Sequence, residues 1–151
     1  MTRRPPQPTS LAVVLAAALA DVVAVLFFAT SGRSSHAEGI TATGVLTTAW
    51  PFLAGTATGW LVVRLWRGAW PVPASASPRH TALDGAVVAV AAVAAGMLLR
   101  RATGAGTDPA FVVVATLVLG ALLVGWRLLW SVLRRRSRPT WGRRRSARPG
   151  G

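Results

Sequence analysis

Four long apolar segments restrict the fold of this chain more than any other feature of its sequence. They cover residues 11–30, 44–66, 83–99 and 110–133. A helix needs about 20 predominantly apolar residues to cross the hydrocarbon core of a bilayer, and none of the segments has the polar stripe of a surface helix. They are also too long for barrel strands and lack the required alternation. The sequence therefore predicts an all-α integral membrane four-helix bundle.

The composition excludes an ordinary soluble protein. Hydrophobic residues make up 52% of the chain and charged residues only 14%, whereas soluble domains have about 25% charged residues. Cysteine is absent and only two histidines occur, which excludes disulfides, thiolate metal sites and cysteine nucleophiles. Nucleotide-binding, metalloprotease and serine-hydrolase motifs are also missing. We therefore expect neither enzymatic activity nor a bound cofactor or metal.

The first apolar segment has two interpretations. Arg3 and Arg4 precede it and the small residues Ser35-His36-Ala37 follow it, as in a secretory signal peptide with its cleavage site. However, the segment is longer than a typical signal-peptide core, and Asp21 lies in its centre. We therefore favour a first span that is retained.

The arginines predict the orientation of the spans. All 17 basic residues are arginine, and the formal net charge is +13. With four spans, 14 arginines lie on the side of the two termini, and only Arg33, Arg100 and Arg101 lie on the other. The positive-inside rule then places both termini in the cytoplasm of a multi-pass cell-membrane protein. Trp126 and Trp130 fit this orientation as interfacial residues near the inner end of the fourth span.

Both ends of the chain are predicted to be disordered. Residues 1–10 form a basic leader, and residues 134–151 form a tail with eight arginines and no acidic residue. Because the tail directly follows a span, we expect it to bind anionic lipid headgroups, with about 1 kcal/mol per arginine; nucleic acid is a less favoured partner. The residues expected to contact lipid are Arg134, Arg135, Arg136, Arg138, Trp141, Arg143, Arg144, Arg145 and Arg148.

Asp21 is the most informative single residue because it lies in the middle of a span. A carboxylate there costs about 2.5–3.5 kcal/mol on insertion scales, so it should face the bundle interior and a partner. It is either a proton- or ion-coupled site or a structural contact, and we favour the contact because one carboxylate makes no pathway. The candidate partners are Thr47, Thr48, Thr56 and Arg127. Of these, Arg127 lies near a span end, where we favour snorkelling to the headgroups.

Further polar residues cluster at the other ends of the first and third spans. Arg33 and His36 follow the first span, and Arg100 follows the third. They could line an anion-attracting vestibule or simply solvate the loops, and we favour solvation. Together with Asp21 they define the alternative function, a small proton- or ion-coupled transporter or channel. The favoured function is a structural or accessory membrane protein.

A small-residue motif in the second span predicts close helix packing. Gly55 and Gly59 have the G-x-x-x-G spacing that lets two helix backbones approach, either within the bundle or between protomers of a homo-oligomer. Pro51 precedes them and is expected to kink the helix, because proline removes an intrahelical hydrogen bond.

Several short motifs together resemble a family of small prokaryotic membrane proteins. They are Asp21 with Phe27-Phe28, residues 32–36 (Gly-Arg-Ser-Ser-His), residues 49–55 (Ala-Trp-Pro-Phe-Leu-Ala-Gly) with Gly59-Trp60, residues 96–100 (Gly-Met-Leu-Leu-Arg) and Gly125-Trp126-Arg127. Over about residues 18–130 the chain resembles domain of unknown function 3054. The resemblance implies a four-span integral membrane protein. Because that family has no assigned activity, the resemblance assigns no functional residue.

Overall fold

The computed structural model describes residues 10–34, 40–72 and 78–136, which form four α-helices. They are α1 (Leu11–Ser34), α2 (Ala42–Arg67), α3 (Pro78–Ala102) and α4 (Pro109–Arg136). The described residues contain no β-strand. The prediction of an all-α four-helix bundle is therefore confirmed. Helices of 24 to 28 residues are about 36–42 Å long at the usual rise per residue, which exceeds the thickness of about 30 Å of a bilayer core.

The helices extend beyond the predicted spans, and α3 does so most. Helix α3 begins at Pro78 rather than near residue 83, because proline is well suited to the first helical position. Helix α4 continues to Arg136. The prediction of a disordered tail from residue 134 is therefore wrong for residues 134–136. No proline or glycine interrupts that continuation. The rest of the tail and residues 1–9 of the leader lie outside the described residues.

Three helices, α1, α3 and α4, are long and apolar enough to cross a membrane, with mean hydropathies of 2.7, 2.1 and 2.2 in their most apolar windows. Helix α2 is not among them, because threonines and glycines interrupt its apolar residues. Large apolar side chains cover the outside of the bundle, including Leu11 and Leu65, which are 72% and 75% exposed. An apolar surface of this kind is typical of a protein embedded in lipid. The fourth span and the orientation of the termini stay predictions.

The helices form a ring in which each packs against its neighbours in sequence and α1 also packs against α4. The α2–α3 interface is the largest and the α1–α4 interface the smallest. One end of the bundle holds Leu11 and Arg136, and we call it the termini end. The other end, which holds Ser34 and Pro109, is called the far end.

The large α2–α3 interface depends on the two glycines of the G-x-x-x-G motif. A Cβ atom at Gly55 would lie 2.7 Å from the carbonyl oxygen of Ala92, and one at Gly59 would lie 2.7 Å from the Cα of Val88. Helix α3 of the same chain therefore covers this face, so of the two alternatives the motif serves packing within the bundle. Pro51 is fully buried inside α2, which continues through it as one helix.

Candidate functional site

A carboxylate–guanidinium pair lies in the interior of the bundle. Asp21 of α1 is 1% exposed and Arg127 of α4 is completely buried. Arg127 Nη1 donates to Asp21 Oδ1 over 2.7 Å, and Nη2 donates to Oδ2 over 2.6 Å. Two parallel bonds of this kind are the strongest arrangement that arginine forms with a carboxylate. Of the four candidate partners of Asp21, Arg127 is therefore the one that hydrogen-bonds to it.

Two tryptophans complete the surroundings of the Asp21 carboxylate. Trp60 of α2 donates its indole N–H to Oδ2 over 2.7 Å, and Trp126 of α4 donates its own to Oδ1 over 2.8 Å. Each carboxylate oxygen therefore accepts two hydrogen bonds, and an ionised carboxylate offers about four acceptor positions in total. We call Asp21, Trp60, Trp126 and Arg127 the Asp21 cluster. It joins three of the four helices around one charge.

Arg127 also binds the backbone of its own helix and of the α2–α3 loop. Its Nη1 donates to the carbonyl oxygen of Leu123 over 2.7 Å, and its Nε donates to that of Pro71 over 3.2 Å. The guanidinium carbon lies 4.7 Å from the centroid of the Trp126 ring, within the range of a cation–π contact. Gly85 of α3 leaves room for this side chain, because a Cβ atom there would lie 3.3 Å from Arg127 Cδ.

The interpretation that Arg127 snorkels to the headgroups is wrong. A buried carboxylate that accepts two charge-assisted bonds compensates the guanidinium better than an extended side chain at the surface would. The sequence does not predict Trp60 as a partner of Asp21, and it predicts Trp126 at the membrane interface, whereas both donate to Asp21. The only signal for them was that each follows a glycine, Gly59 or Gly125, and this pattern does not identify a partner.

A second ion pair joins α2 to α3. Arg67 Nη1 donates to Asp84 Oδ1, and the two side chains are 29% and 8% exposed. Asp21 and Asp84 thus each belong to the first helix of a helical hairpin and pair with an arginine of the other hairpin. The second pair is more accessible than the first, so solvent and headgroups screen it more strongly.

Three phenylalanines pack together in the bundle interior, between the Asp21 cluster and the far end. The ring centroids of Phe28, Phe52 and Phe111 lie 5.3 to 6.1 Å apart. Beyond these rings is a cavity of about 570 Å³ at the far end, lined in part by Arg33, Arg100, Phe28 and Phe111. The phenylalanines therefore separate Asp21 from this cavity.

The far-end arginines are held by backbone and aromatic groups. Arg100 donates to the carbonyl oxygens of Ala105 and Gly106 over 2.9 and 3.3 Å, and its guanidinium lies 4.4 Å from the Phe111 ring. The Arg33 guanidinium packs over Gly44, where a Cβ atom would lie 2.5 Å from it. The structure thus brings these two arginines to one cavity but not to Asp21, while His36 lies outside the described residues.

Of the remaining predicted positions, the structure describes only those on the last turns of α4, at the termini end. Arg134 and Arg136 are exposed on the last turns of α4, and residue 135 is helical. The other tail residues predicted to contact lipid lie outside the described residues: Arg138, Trp141, Arg143, Arg144, Arg145 and Arg148. Among the residues that the structure describes, no three histidine or acidic side chains lie together as metal ligands.

The fold and the cluster define an α-helical membrane protein whose helices are joined by a buried ion pair. The chain belongs to the family described as protein of unknown function (DUF3054), whose sequence profile matches residues 18–130. This confirms the resemblance, and the matched region contains all four members of the Asp21 cluster. No match is found among curated proteins or among solved structures.

Proposed function

We propose that the protein is a structural or accessory protein of the cell membrane, without enzymatic activity, whose termini end contacts anionic lipid. The observation that carries this proposal is the complete hydrogen bonding of Asp21. A side chain that exchanges protons or ions needs an acceptor position that a proton or ion can reach. The four donors around Asp21 fill these positions, and such an arrangement supports a fixed contact between helices.

The alternative, transport through Asp21, Arg33, His36 and Arg100, has less support. The Phe28, Phe52 and Phe111 rings lie between Asp21 and the cavity that contains Arg33 and Arg100. A proton or ion crossing the protein would have to pass these rings and then displace Arg127 or an indole N–H from the carboxylate. Each of those bonds is charge-assisted and therefore strong.

Lipid contact is supported by two arginine–tryptophan pairs at the termini end. The guanidinium of Arg64 lies 5.5 Å from the Trp70 ring, and that of Arg134 lies 5.0 Å from the Trp130 ring. All four side chains are exposed. Tryptophan favours the headgroup level of a membrane, and arginines at that level attract anionic lipids.

Reconstitution into liposomes with an internal pH-sensitive dye tests the proposal. We expect proteoliposomes to dissipate proton and salt gradients no faster than empty liposomes do. Asp108→Asn is the matched control for Asp21→Asn, because Asp108 is an exposed carboxylate. A flux in the wild type that Asp21→Asn abolishes and Asp108→Asn leaves intact would overturn the structural role in favour of transport.

A further inference from the structure

We propose that the groove between α1 and α4 is a binding site for an anionic phospholipid, with the phosphate on Arg134 and one acyl chain along α1. This inference rests on the proposed contact with anionic lipid and identifies the place of that contact. Of the residues that line this groove, only Trp126 also belongs to the Asp21 cluster.

The groove owes its shape to small side chains opposite large ones. Its volume is about 330 Å³. Helix α1 contributes mainly alanines, and Ala12, Ala16 and Ala20 are spaced four residues apart, so they lie on one face of the helix. Helix α4 contributes Trp126 and Trp130 as the opposite wall. Because alanine does not fill the space between the helices, an apolar channel opens along the smallest interface of the bundle.

Arg134 gives the groove a charged end. It is exposed and lines the groove, and it stacks on Trp130, which also lines the groove. Stacking on an indole orients a guanidinium, whose N–H groups can bind a phosphate in a bidentate manner. The lining residues include no acidic side chain that would compete for Arg134. An apolar channel with a single cation at its headgroup end is complementary to an acyl chain with an anionic headgroup.

The groove on the other side of α1 resembles this one only in part. A groove of about 450 Å³ between α1 and α2 is lined by Ala18, Ala57, Trp60, Trp70 and the acidic residue Asp21, among others. Arg64 lies over Trp70, at the same end as Arg134. By contrast, the groove of about 650 Å³ between α3 and α4 has no charged lining residue. Of the two grooves beside α1, the one between α1 and α4 is lined by an arginine and by no acidic residue. We assign the phospholipid to the α1–α4 groove because Arg134 is itself part of its lining.

Two pairs of variants test the site in full-length protein reconstituted into nanodiscs that contain phosphatidylglycerol and phosphatidylcholine. Arg134→Gln removes the cation. Arg136→Gln is its matched control, because Arg136 is exposed in the last turn of α4 but does not line the groove. Ala16→Leu fills the channel, and Ala121→Leu adds the same volume to the uncharged α3–α4 groove. The measurement is the number of phosphatidylglycerol molecules that remain bound after delipidation, counted by native mass spectrometry.

We expect the wild type to retain one phosphatidylglycerol molecule. Arg134→Gln should bind phosphatidylglycerol about tenfold more weakly, because a charge-assisted bond to the phosphate is lost. Ala16→Leu should abolish retention, and both controls should keep it. Equal losses in Arg134→Gln and Arg136→Gln, with retention in Ala16→Leu, would overturn the groove site but keep diffuse lipid contact. Absence of any preference for phosphatidylglycerol in the wild type would instead overturn the lipid contact of the proposed function.

A second copy of the chain is the competing occupant, and a cysteine variant detects it. The protein contains no cysteine, so Ala16→Cys introduces a single thiol on the face of α1 that lines the groove. We expect this variant to stay monomeric under oxidising conditions in nanodiscs. Efficient disulfide-linked dimers would place a second copy in the groove and overturn the lipid assignment.

Discussion

Arg127 and Asp21 lie 106 residues apart in the sequence and are joined by two parallel hydrogen bonds in the bundle interior. Burying two charges costs several kcal/mol per ion, so such a pair is weak evidence for stability in itself. Its geometry does fix where α4 lies along α1. That matters most here because these two helices share the smallest interface of the bundle. We therefore regard the pair as a determinant of helix register.

Asp21→Asn should strongly destabilise the protein. The change keeps the side-chain shape but leaves the Arg127 charge buried without a counter-charge, which costs about 3–5 kcal/mol. Unfolding in mixed micelles with increasing denaturing detergent measures this loss. Asp108→Asn should cost little, because asparagine caps a helix about as well as aspartate and can accept the same bond from Ala110 N–H. Equal stability of the two variants would contradict the structural role of the pair.

Replacing both charges with apolar residues should recover much of that loss. A double variant, Asp21→Leu with Arg127→Met, has no buried charge, and well-packed apolar replacements of ion pairs are often neutral or stabilising. We expect it to unfold at a higher detergent fraction than either single variant, with a coupling energy of about 1–3 kcal/mol. Additive effects of the two changes would show that the side chains do not interact.

The two indole donors should each contribute measurably to stability. Trp60→Phe and Trp126→Phe keep an aromatic ring but remove the N–H that Asp21 accepts. A hydrogen bond to a charged group is worth about 1.5–3 kcal/mol. Trp66→Phe is the control, because Trp66 is 73% exposed and should change stability little. The same unfolding assay separates the three, and a loss in Trp66→Phe as large as in Trp60→Phe would argue against a specific role of the N–H.

The α2–α3 interface should not tolerate a side chain at its glycines. Gly55→Leu would place its Cβ within 2.8 Å of the backbone of Ala91 and Ala92, and overpacking of this kind costs about 1–3 kcal/mol or more. Gly120→Leu, with open space around its Cβ, should leave the thermal unfolding temperature nearly unchanged. If Gly55→Leu unfolds at the same temperature as the wild type, α2 and α3 do not pack backbone against backbone at Gly55.

Much of the bundle and part of the cluster can be predicted from the sequence. Long apolar segments predict helices because a membrane requires every backbone polar group to bond within its own segment. The cost of a charge in an apolar segment likewise identifies Asp21 as a residue that needs a partner, with Arg127 among the candidates. The sequence also predicts Arg33 and Arg100 at the same end of the bundle, and both line one cavity there.

The direction of individual side chains could not be predicted. Arg127 lies where snorkelling and inward pairing are both sterically available, and only the position of Asp21 on the neighbouring helix decides between them. Trp126 likewise carries an apolar body and one N–H, which suits either the headgroup level or a buried acceptor. The observed helix ends differ from the predicted span ends for a simpler reason. Good helix formers continue a helix past its last apolar residue, as in α4, which ends at Arg136.

The long separation between Asp21 and Arg127 also has a consequence for biogenesis. A ribosome adds about 5–20 residues per second, so roughly 5–20 seconds of translation separate the synthesis of the two partners, which are 106 positions apart. During this interval the Asp21 carboxylate lacks the guanidinium that compensates it in the folded bundle. Trp60 is synthesised 39 positions after Asp21 and can supply an early hydrogen bond. The nascent chain can complete the cluster only when its last helix arrives.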